Sequence, residues 1–505
     1  MTDSTNLQKA LARFQEAQSK LLALQYASAM LFWDATTGAP KSGADARSRA
    51  IGTLSGFSYG LLVNDQVRQD LVTLEQETDS LDEQTRVMVR KARKEFDKLT
   101  KIPMDEFQRY HALVSKASMV WEEAKEKSDF NLFKPYLNQI VDTLRKFAGY
   151  RGYEGHPYNL FIDDFEEGMD IRQLDAFFSE LRTRLVPLIK TISEKKKSID
   201  DSFLKKSYPV TLQEQLSRDL LRQLGYDLER GWFKESVHPF TMGVDIDDVR
   251  LTTHYYECNP VSSLLSTAHE GGHAIYEQNV GRHLQGTILA TGTSNGIHES
   301  QSRIYENNFV RSEAFLGHLF PKLQTIFKEQ LENVPFRDFY EAMNIVEPSL
   351  IRIEADELTY SLHIMLRYEL ELGLIDGSIQ VDDLPRVWNE KMQAYLGITP
   401  ESDARGVLQD VHWSDGLFGY FPTYALGSAY AAQLAHFMSK EIDLEDCLSR
   451  GDFKPLTQWL NENVHVHGSL KKPTELIEMI TGEPLNPNYY CDYLEKKYSA
   501  IYGLA

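Results

Sequence analysis

The segment 264–277, with the sequence LLSTAHEGGHAIYE, places His269 and His273 four residues apart. On a helix, positions i and i+4 lie on one face about one turn apart, so both imidazoles can point at the same ion. Glu270 precedes His273 by three residues and therefore also lies near that face, where its carboxylate can reach a water molecule beside the ion. The spacing predicts a divalent metal site with Glu270 as general base.

Two glycines, Gly271 and Gly272, lie between Glu270 and His273. Each costs about 1 kcal/mol relative to alanine inside a helix. Their presence predicts that another part of the molecule passes close to the helix backbone.

A site of this type suits amide hydrolysis. A bound divalent ion lowers the pKa of a water molecule toward about 7 and polarises the substrate carbonyl. The carboxylate takes the proton from this water and later delivers it to the leaving amine. We therefore interpret the motif as that of a metal-dependent peptidase.

Catalytic zinc has three protein ligands and an open position for water, so a third ligand is expected. The segment 297–302, IHESQS, opens another predicted helix and contains two candidates, His298 and Glu299. Glu299 follows His273 by 26 positions (299 − 273), enough for a turn and an antiparallel return helix. The residue pattern alone leaves the choice between them open.

Helical periodicity dominates the rest of the chain. Apolar residues recur at spacings of three, four or seven over the segments 7–24, 174–192 and 212–224, and 82–100 is a strongly charged helical stretch. Strand signals are concentrated in 237–258, just before the histidine motif, where we expect a short antiparallel ribbon. No linker or repeat stands out, so the sequence predicts one mainly α-helical body with a small β element.

Composition excludes several function classes. The net charge of −20 disfavours binding to nucleic acid or to anionic membranes. Three scattered cysteines suit a reducing compartment. The N-terminus carries no visible signal peptide, and no run of about 18 apolar residues occurs. We therefore expect a cytoplasmic protein.

A series of ordered motifs resembles the family of thermostable-type (Taq-type) zinc carboxypeptidases. They are YNL (158–160) with DDFE (163–166), HPF (238–240), DVRLT (248–252), HEGGH (269–273), HESQ (298–301), IRIEAD (351–356) and GVLQDVHW (406–413). No motif position departs from the family's pattern. The resemblance favours Glu299 over His298 as the third metal ligand.

The resemblance implies a saddle-like, all-α fold with a deep central groove, a small β-sheet beside the metal and a single catalytic domain spanning 1–505. It implies a homodimer that releases single residues from peptide C-termini, with broad preference and poor cleavage at proline. Zinc is the implied metal, and cobalt would substitute for it.

Further residues acquire candidate roles from the resemblance and from their chemistry. Arg352 matches the family residue thought to bind the substrate's α-carboxylate, a role that suits the planar guanidinium group. The alternative for this residue is a structural ion pair with Glu354, Asp356 or Glu357. The other candidates for substrate binding are Arg405, His238 and Tyr424. His412 and Tyr420 are candidates for stabilising the oxyanion, a task that Tyr424 could share. His238, Asp248 and Arg250 also suit a structural role, and Asp248 or Asp356 could accept the second N–H of a metal-bound imidazole.

Two alternatives remain. A related helical oligopeptidase or dipeptidyl carboxypeptidase would share the two histidines and the distal glutamate but would release different products. A non-catalytic zinc scaffold is disfavoured, because structural zinc sites use four ligands rich in cysteine and have no need of Glu270. His465 and His467 lack a third ligand, so we expect them to be surface residues.

Overall fold

The computed structural model describes residues 2–195 and 197–504, which fold mainly as α-helices. The first ten helices are α1 (Thr2–Thr37), α2 (Ala44–Leu62), α3 (Asp65–Gln76), α4 (Glu83–Thr100), α5 (Met104–Lys127), α6 (Phe130–Arg151), α7 (Tyr158–Asp163), α8 (Ile171–Lys195), α9 (Val210–Leu224) and α10 (Pro260–Gln278). They are followed by α11 (Asn295–Arg303), α12 (Glu313–Ile326), α13 (Lys328–Leu331), α14 (Phe336–Met343), α15 (Glu357–Asp376), α16 (Leu384–Leu396), α17 (Pro422–Met438), α18 (Leu444–Ser449), α19 (Lys454–Asn463), α20 (Pro473–Thr481) and α21 (Asn488–Tyr502). The predicted α-helical fold is confirmed.

The predicted helices are present. The segments 7–24, 174–192 and 212–224, which were expected from apolar periodicity, fall in α1, α8 and α9. The charged stretch 82–100 forms α4 from residue 83 onward, with Asp82 as its N-cap. α9 ends at Gly225, whose φ of 107° is a left-handed conformation that glycine adopts without strain. None of the described helices combines the length and apolar character that crossing a membrane requires.

A three-stranded sheet precedes α10. Its strands are β1 (Gly231–Glu235), β2 (Thr241–Asp245) and β3 (Asp248–Thr253), in the order β1-β3-β2. β2 and β3 form the antiparallel ribbon predicted within 237–258, with Thr241 opposite Leu251. β1 lies outside the predicted segment and pairs with β3 in parallel.

The chain folds into two compact units, each built from several separate segments of the sequence. The first comprises the chain up to Ile102, Pro209–Thr293 and Thr457–Lys471. It contains the sheet and α10. One cluster of its buried apolar side chains includes Phe14, Leu74 and Phe96.

The second unit comprises Pro103–Tyr208, Ser294–Leu456 and the chain from Lys472 onward. Its central helices, α15 and α17, are buried over most of their length. The single domain predicted over 1–505 stays a prediction.

Two fully buried carboxylates of the second unit, Glu166 and Glu371, have neutral hydrogen-bond donors as their partners. Glu371 accepts hydrogen bonds from the Trp413 indole N–H at 3.0 Å, the Gly419 N–H at 2.9 Å and the Tyr158 hydroxyl. Burial disfavours the charged form and raises the pKa of each carboxylate to about 7.

This raised pKa predicts that the free energy of unfolding falls as pH rises. Between the ordinary glutamate pKa of 4.5 and the folded value of about 7, the folded state binds more protons than the unfolded chain. The stabilisation is complete below pH 4.5 and is lost as pH rises through 7. In urea unfolding between pH 5 and 8, the free energy of unfolding of Glu371→Gln should fall less steeply with rising pH than that of the wild type. Glu478→Gln, which changes an exposed carboxylate, should keep the wild-type slope, and an unchanged slope in Glu371→Gln would contradict the prediction.

Candidate active site

α10 carries the HEGGH motif and is held firmly by its surroundings. The Asn259 side chain caps its first turn by accepting the Ser262 N–H, and Pro260 fits the first helical position. A Cβ added at Gly271 would lie 3.0 Å from the Leu221 side chain of α9. The expected close neighbour of the glycine pair is therefore α9, which packs against the helix at Gly271.

The motif's three functional side chains lie close together on α10. His269 and His273 are half-buried, and their ring centroids are 5.0 Å apart. Glu270 is 7% exposed, and its Oε2 accepts a hydrogen bond of 2.7 Å from the Thr241 hydroxyl. Because Thr241 begins β2, the sheet fixes the orientation of this carboxylate.

Glu299 lies in the middle of α11, in the second unit. The Ser294 side chain caps this helix by accepting the Ile297 N–H. The Glu299 carboxylate is 6% exposed and accepts a hydrogen bond of 2.7 Å from Arg303. A Cβ at Gly427 of α17 would lie 2.4 Å from Glu299 Cγ, so only glycine leaves room for the side chain there.

A potential metal-binding group is present among the described residues. One ligand atom from each of His269, His273 and Glu299 lies within 4.8 Å of the other two. Two imidazoles and one carboxylate suit a catalytic divalent ion with an open coordination position. His298, the other candidate from the sequence, does not belong to this group.

A second charged cluster surrounds Asp410 in the second unit. The Asp410 carboxylate pairs with the Arg352 and Arg367 guanidinium groups at 2.9 and 2.5 Å. Arg352 is 7% exposed and Arg367 is fully buried. Burial alone would raise the pKa of Asp410, but the charges of Arg367 and Arg352 outweigh this effect and hold the pKa well below its usual value. The cluster therefore carries two positive charges against one negative charge.

The proposed oxyanion residues adjoin this cluster. His412 Nε2 lies 3.3 Å from the Tyr424 hydroxyl oxygen, and the Tyr420 and Tyr424 ring centroids are 5.2 Å apart. Arg352 lies over the Tyr424 ring, 5.1 Å from its centroid. Burial, with a further contribution from Arg352, lowers the pKa of His412 to about 4, so its imidazole is neutral at pH 7.

Two other candidates for substrate binding, His238 and Arg405, lie on the surface. His238 is exposed in the middle of the β1–β2 loop. Arg405 is exposed and forms a surface pair with Glu401. Both differ from Arg352, whose guanidinium group is buried.

The carboxylates considered as partners for the metal-bound imidazoles have other partners. Asp248 pairs with Arg250 and accepts the Tyr26 hydroxyl, which agrees with a structural role. Asp356 caps α15 by accepting the Leu358 and Thr359 N–H groups.

The prediction that His465 lies on the surface is wrong. Its side chain is fully buried, and its ring lies 5.0 Å from the Tyr276 ring, centroid to centroid. The polar residues around it in sequence gave no sign of this aromatic contact.

Sequence reasoning missed three residues that the structure places beside the candidates. Thr241 contacts Glu270, while Asp410 and Arg367 contact each other next to Arg352. Asp410 stands inside the GVLQDVHW motif, which was a usable signal. No signal in the sequence marked Thr241 or Arg367, because their hydrogen-bond partners are 29 and 43 positions away.

Comparison with known proteins identifies the class. Residues 13–498 match the Carboxypeptidase Taq (M32) metallopeptidase family, and the chain belongs to that family. It is 46% identical to Carboxypeptidase 1 of Bacillus subtilis over 95% of this chain and 96% of the relative. It is 38% identical to Thermostable carboxypeptidase 1 of Thermus thermophilus over 98% of both.

The solved structures agree. An M32 carboxypeptidase from Deinococcus radiodurans R1 superposes with a TM-score of 0.95 at 36% identity, over 98% of this chain and 100% of that chain. Trypanosoma cruzi metallocarboxypeptidase 1 gives a TM-score of 0.93 at 36% identity, over 97% and 99%. The chain is therefore a metallocarboxypeptidase, as the sequence predicted.

The Asp410 cluster predicts a large loss of stability on Asp410→Asn. This change leaves two guanidinium charges buried without their counter-charge, and breaking a buried pair in this way costs about 3–5 kcal/mol. Urea unfolding at pH 7 measures the loss. Glu390→Gln, which removes one partner of the exposed Arg386–Glu390 pair, should cost less than about 1 kcal/mol. Equal losses in the two variants would show that Asp410 does not hold the cluster.

Proposed function

We propose that this metallocarboxypeptidase releases single amino acids from peptide C-termini, with Glu270 as general base. The observation that carries the proposal is the group formed by His269, His273 and Glu299, with Glu270 next to His269 in the same helix. We propose these three residues as the metal ligands. Family membership implies a metal ion, and the donor set favours zinc, with cobalt as a substitute.

The chain's own residues then have distinct tasks. A bound ion would supply Lewis-acid activation of a water molecule and of the scissile carbonyl. Glu270 would accept the proton of the attacking water and transfer it to the leaving amine. The hydrogen bond from Thr241 keeps the Glu270 carboxylate in one orientation, so little reorganisation is needed during the reaction.

Recognition of the free C-terminus is assigned to Arg352. In this cluster, the guanidinium groups of Arg352 and Arg367 share the single carboxylate of Asp410 in a buried environment, where a further anion would stabilise them. A substrate α-carboxylate is that anion, and a guanidinium group binds it bidentately. Arg405, His238 and Tyr424 remain additional candidates for substrate contacts.

His412 and Tyr420 are proposed to stabilise the oxyanion. A neutral His412 can donate one N–H, and a phenol with a pKa above its usual value keeps its proton at pH 7. Burial, followed by the charge of Glu299, raises the pKa of Tyr420. Both side chains therefore remain donors at neutral pH.

Several finer properties rest on the family resemblance alone. We propose a homodimer with broad preference for the C-terminal residue and poor cleavage at proline. The proposed cytoplasmic location is supported by the three scattered cysteines, which suit a reducing compartment. The related oligopeptidase and dipeptidyl carboxypeptidase activities are the alternatives that product analysis would reveal.

The zinc- or cobalt-loaded protein should convert an unmodified ten-residue peptide into a ladder that loses one C-terminal residue at a time. An amidated peptide should remain intact, because it lacks the carboxylate that Arg352 would bind. Glu270→Gln should lower the rate by at least a hundredfold, since general base catalysis contributes about 10²–10⁴. Mass spectrometry follows the products. Internal cuts or the release of two residues at a time, at the same rate in the amidated and the unmodified peptide, would contradict the proposal.

Arg352→Lys should raise KM more than it lowers kcat for free-acid peptides. Lysine keeps the charge but loses the bidentate geometry, and a hydrogen bond to a charged group is worth about 1.5–3 kcal/mol, or roughly 10- to 150-fold in kcat/KM. Steady-state kinetics measures the change. Arg386→Lys, which changes an exposed arginine paired with Glu390, is the matched control and should behave like the wild type. If kcat/KM falls in Arg405→Lys but stays at the wild-type value in Arg352→Lys, the carboxylate site must be reassigned to Arg405.

A further inference from the structure

Glu166 is a buried carboxylate that the mechanism above does not use. It follows α7 and is 0% exposed. Its Oε2 accepts the Gly296 N–H at 2.8 Å, its Oε1 accepts the Tyr430 hydroxyl at 3.1 Å, and the Ser294 hydroxyl also hydrogen-bonds to it. All three donors are neutral, and a buried carboxylate without a cation is costly. Its position therefore calls for an explanation.

Two of these donors belong to the start of α11. Ser294 is the N-cap and Gly296 lies in the first turn. Between them, the Asn295 N–H donates to the Phe165 carbonyl at 3.1 Å. The first turn of a helix has free N–H groups and the positive end of the helix dipole, so a carboxylate suits this place. The pair Phe165–Glu166 thus binds three consecutive residues at the helix start.

The third donor, Tyr430, comes from α17, and this helix also contacts Glu299. Gly427 lies one turn before Tyr430, at the position where any side chain would collide with Glu299. The approach at Gly296 is equally close, because a Cβ there would lie 2.5 Å from Glu166 Oε2. Glu166 therefore joins α11 to α17 one turn before Glu299, at contacts so close that neither Gly296 nor Gly427 has space for a side chain.

We infer that Glu166 is a positioning residue, which fixes the rotation of α11 and its position along the helix axis. In this way it holds the Glu299 carboxylate where it binds the metal ion. The inference rests on the proposed function, in which Glu299 is a ligand. Groups that orient metal ligands typically change metal affinity by 10- to 100-fold when they are mutated. Metal affinity therefore separates positioning from simple stabilisation of the fold.

The test compares Zn²⁺ affinity, measured by competition with a chromophoric chelator, with the visible spectrum of the Co²⁺-loaded protein. Glu166→Ala and Glu166→Asp should weaken Zn²⁺ binding by at least tenfold and change the Co²⁺ bands. Glu166→Gln should stay within threefold of the wild type, because its carbonyl can accept the Gly296 N–H and its NH₂ can donate to the Tyr430 oxygen. Tyr430→Phe, which removes only the hydroxyl that links Glu166 to α17, should give a smaller loss in the same direction.

Glu371→Ala is the matched control. Glu371 is equally buried and also has three neutral donors, but none of them lies in α11. Glu371→Ala should therefore lower the unfolding temperature without changing Zn²⁺ affinity. If Glu166→Ala, Glu166→Asp and Tyr430→Phe keep the wild-type affinity and Co²⁺ spectrum, the positioning role is overturned. Glu299→Ala separates the two hypotheses, because normal Zn²⁺ binding in that variant would refute the proposed ligand set itself.

Discussion

Charge buried among apolar helices must be paired or hydrogen-bonded, and this constraint organises the functional parts of the molecule. In the second unit, Asp410 holds two buried guanidinium groups, and the start of α11 satisfies the buried carboxylate of Glu166. In the first unit, Thr241 satisfies an oxygen of Glu270. Each of these contacts restricts a side chain to which we assign a part in peptide hydrolysis, so the same interactions that make burial possible also set the geometry of the candidate site.

The close packing of small residues complements these polar contacts. Gly271 lets α9 approach the helix of the two histidines, and Gly427 leaves room for Glu299 against α17. Interiors of proteins are packed to the density of organic crystals, so a single added methyl group in such places displaces a neighbour. The glycines are therefore part of the site although they carry no chemistry.

Much of the candidate site could be predicted from the sequence because its key spacing is local. Two histidines at i and i+4 lie on one face of any helix, so the sequence alone brings them together. Apolar periodicity likewise predicted α1, α8 and α9. The pairs that sequence reasoning missed are distant along the chain: Arg352 and Asp410 are 58 positions apart, and Glu166 and Gly296 are 130 apart. Strand β1 escaped prediction for a similar reason, since it pairs in parallel with β3 and its Trp232 is 55% exposed, so no buried alternation marks it.

The central claim is that His269, His273 and Glu299 hold the catalytic ion with Glu270 beside it. The most direct measurement is the anomalous diffraction of crystals of the zinc-loaded protein, recorded on both sides of the zinc absorption edge. We predict one strong peak at about 2 Å from a nitrogen of each histidine and from a carboxylate oxygen of Glu299, the distances usual for zinc ligands. A peak bound by other residues, or by His298 in place of Glu299, would contradict the claim.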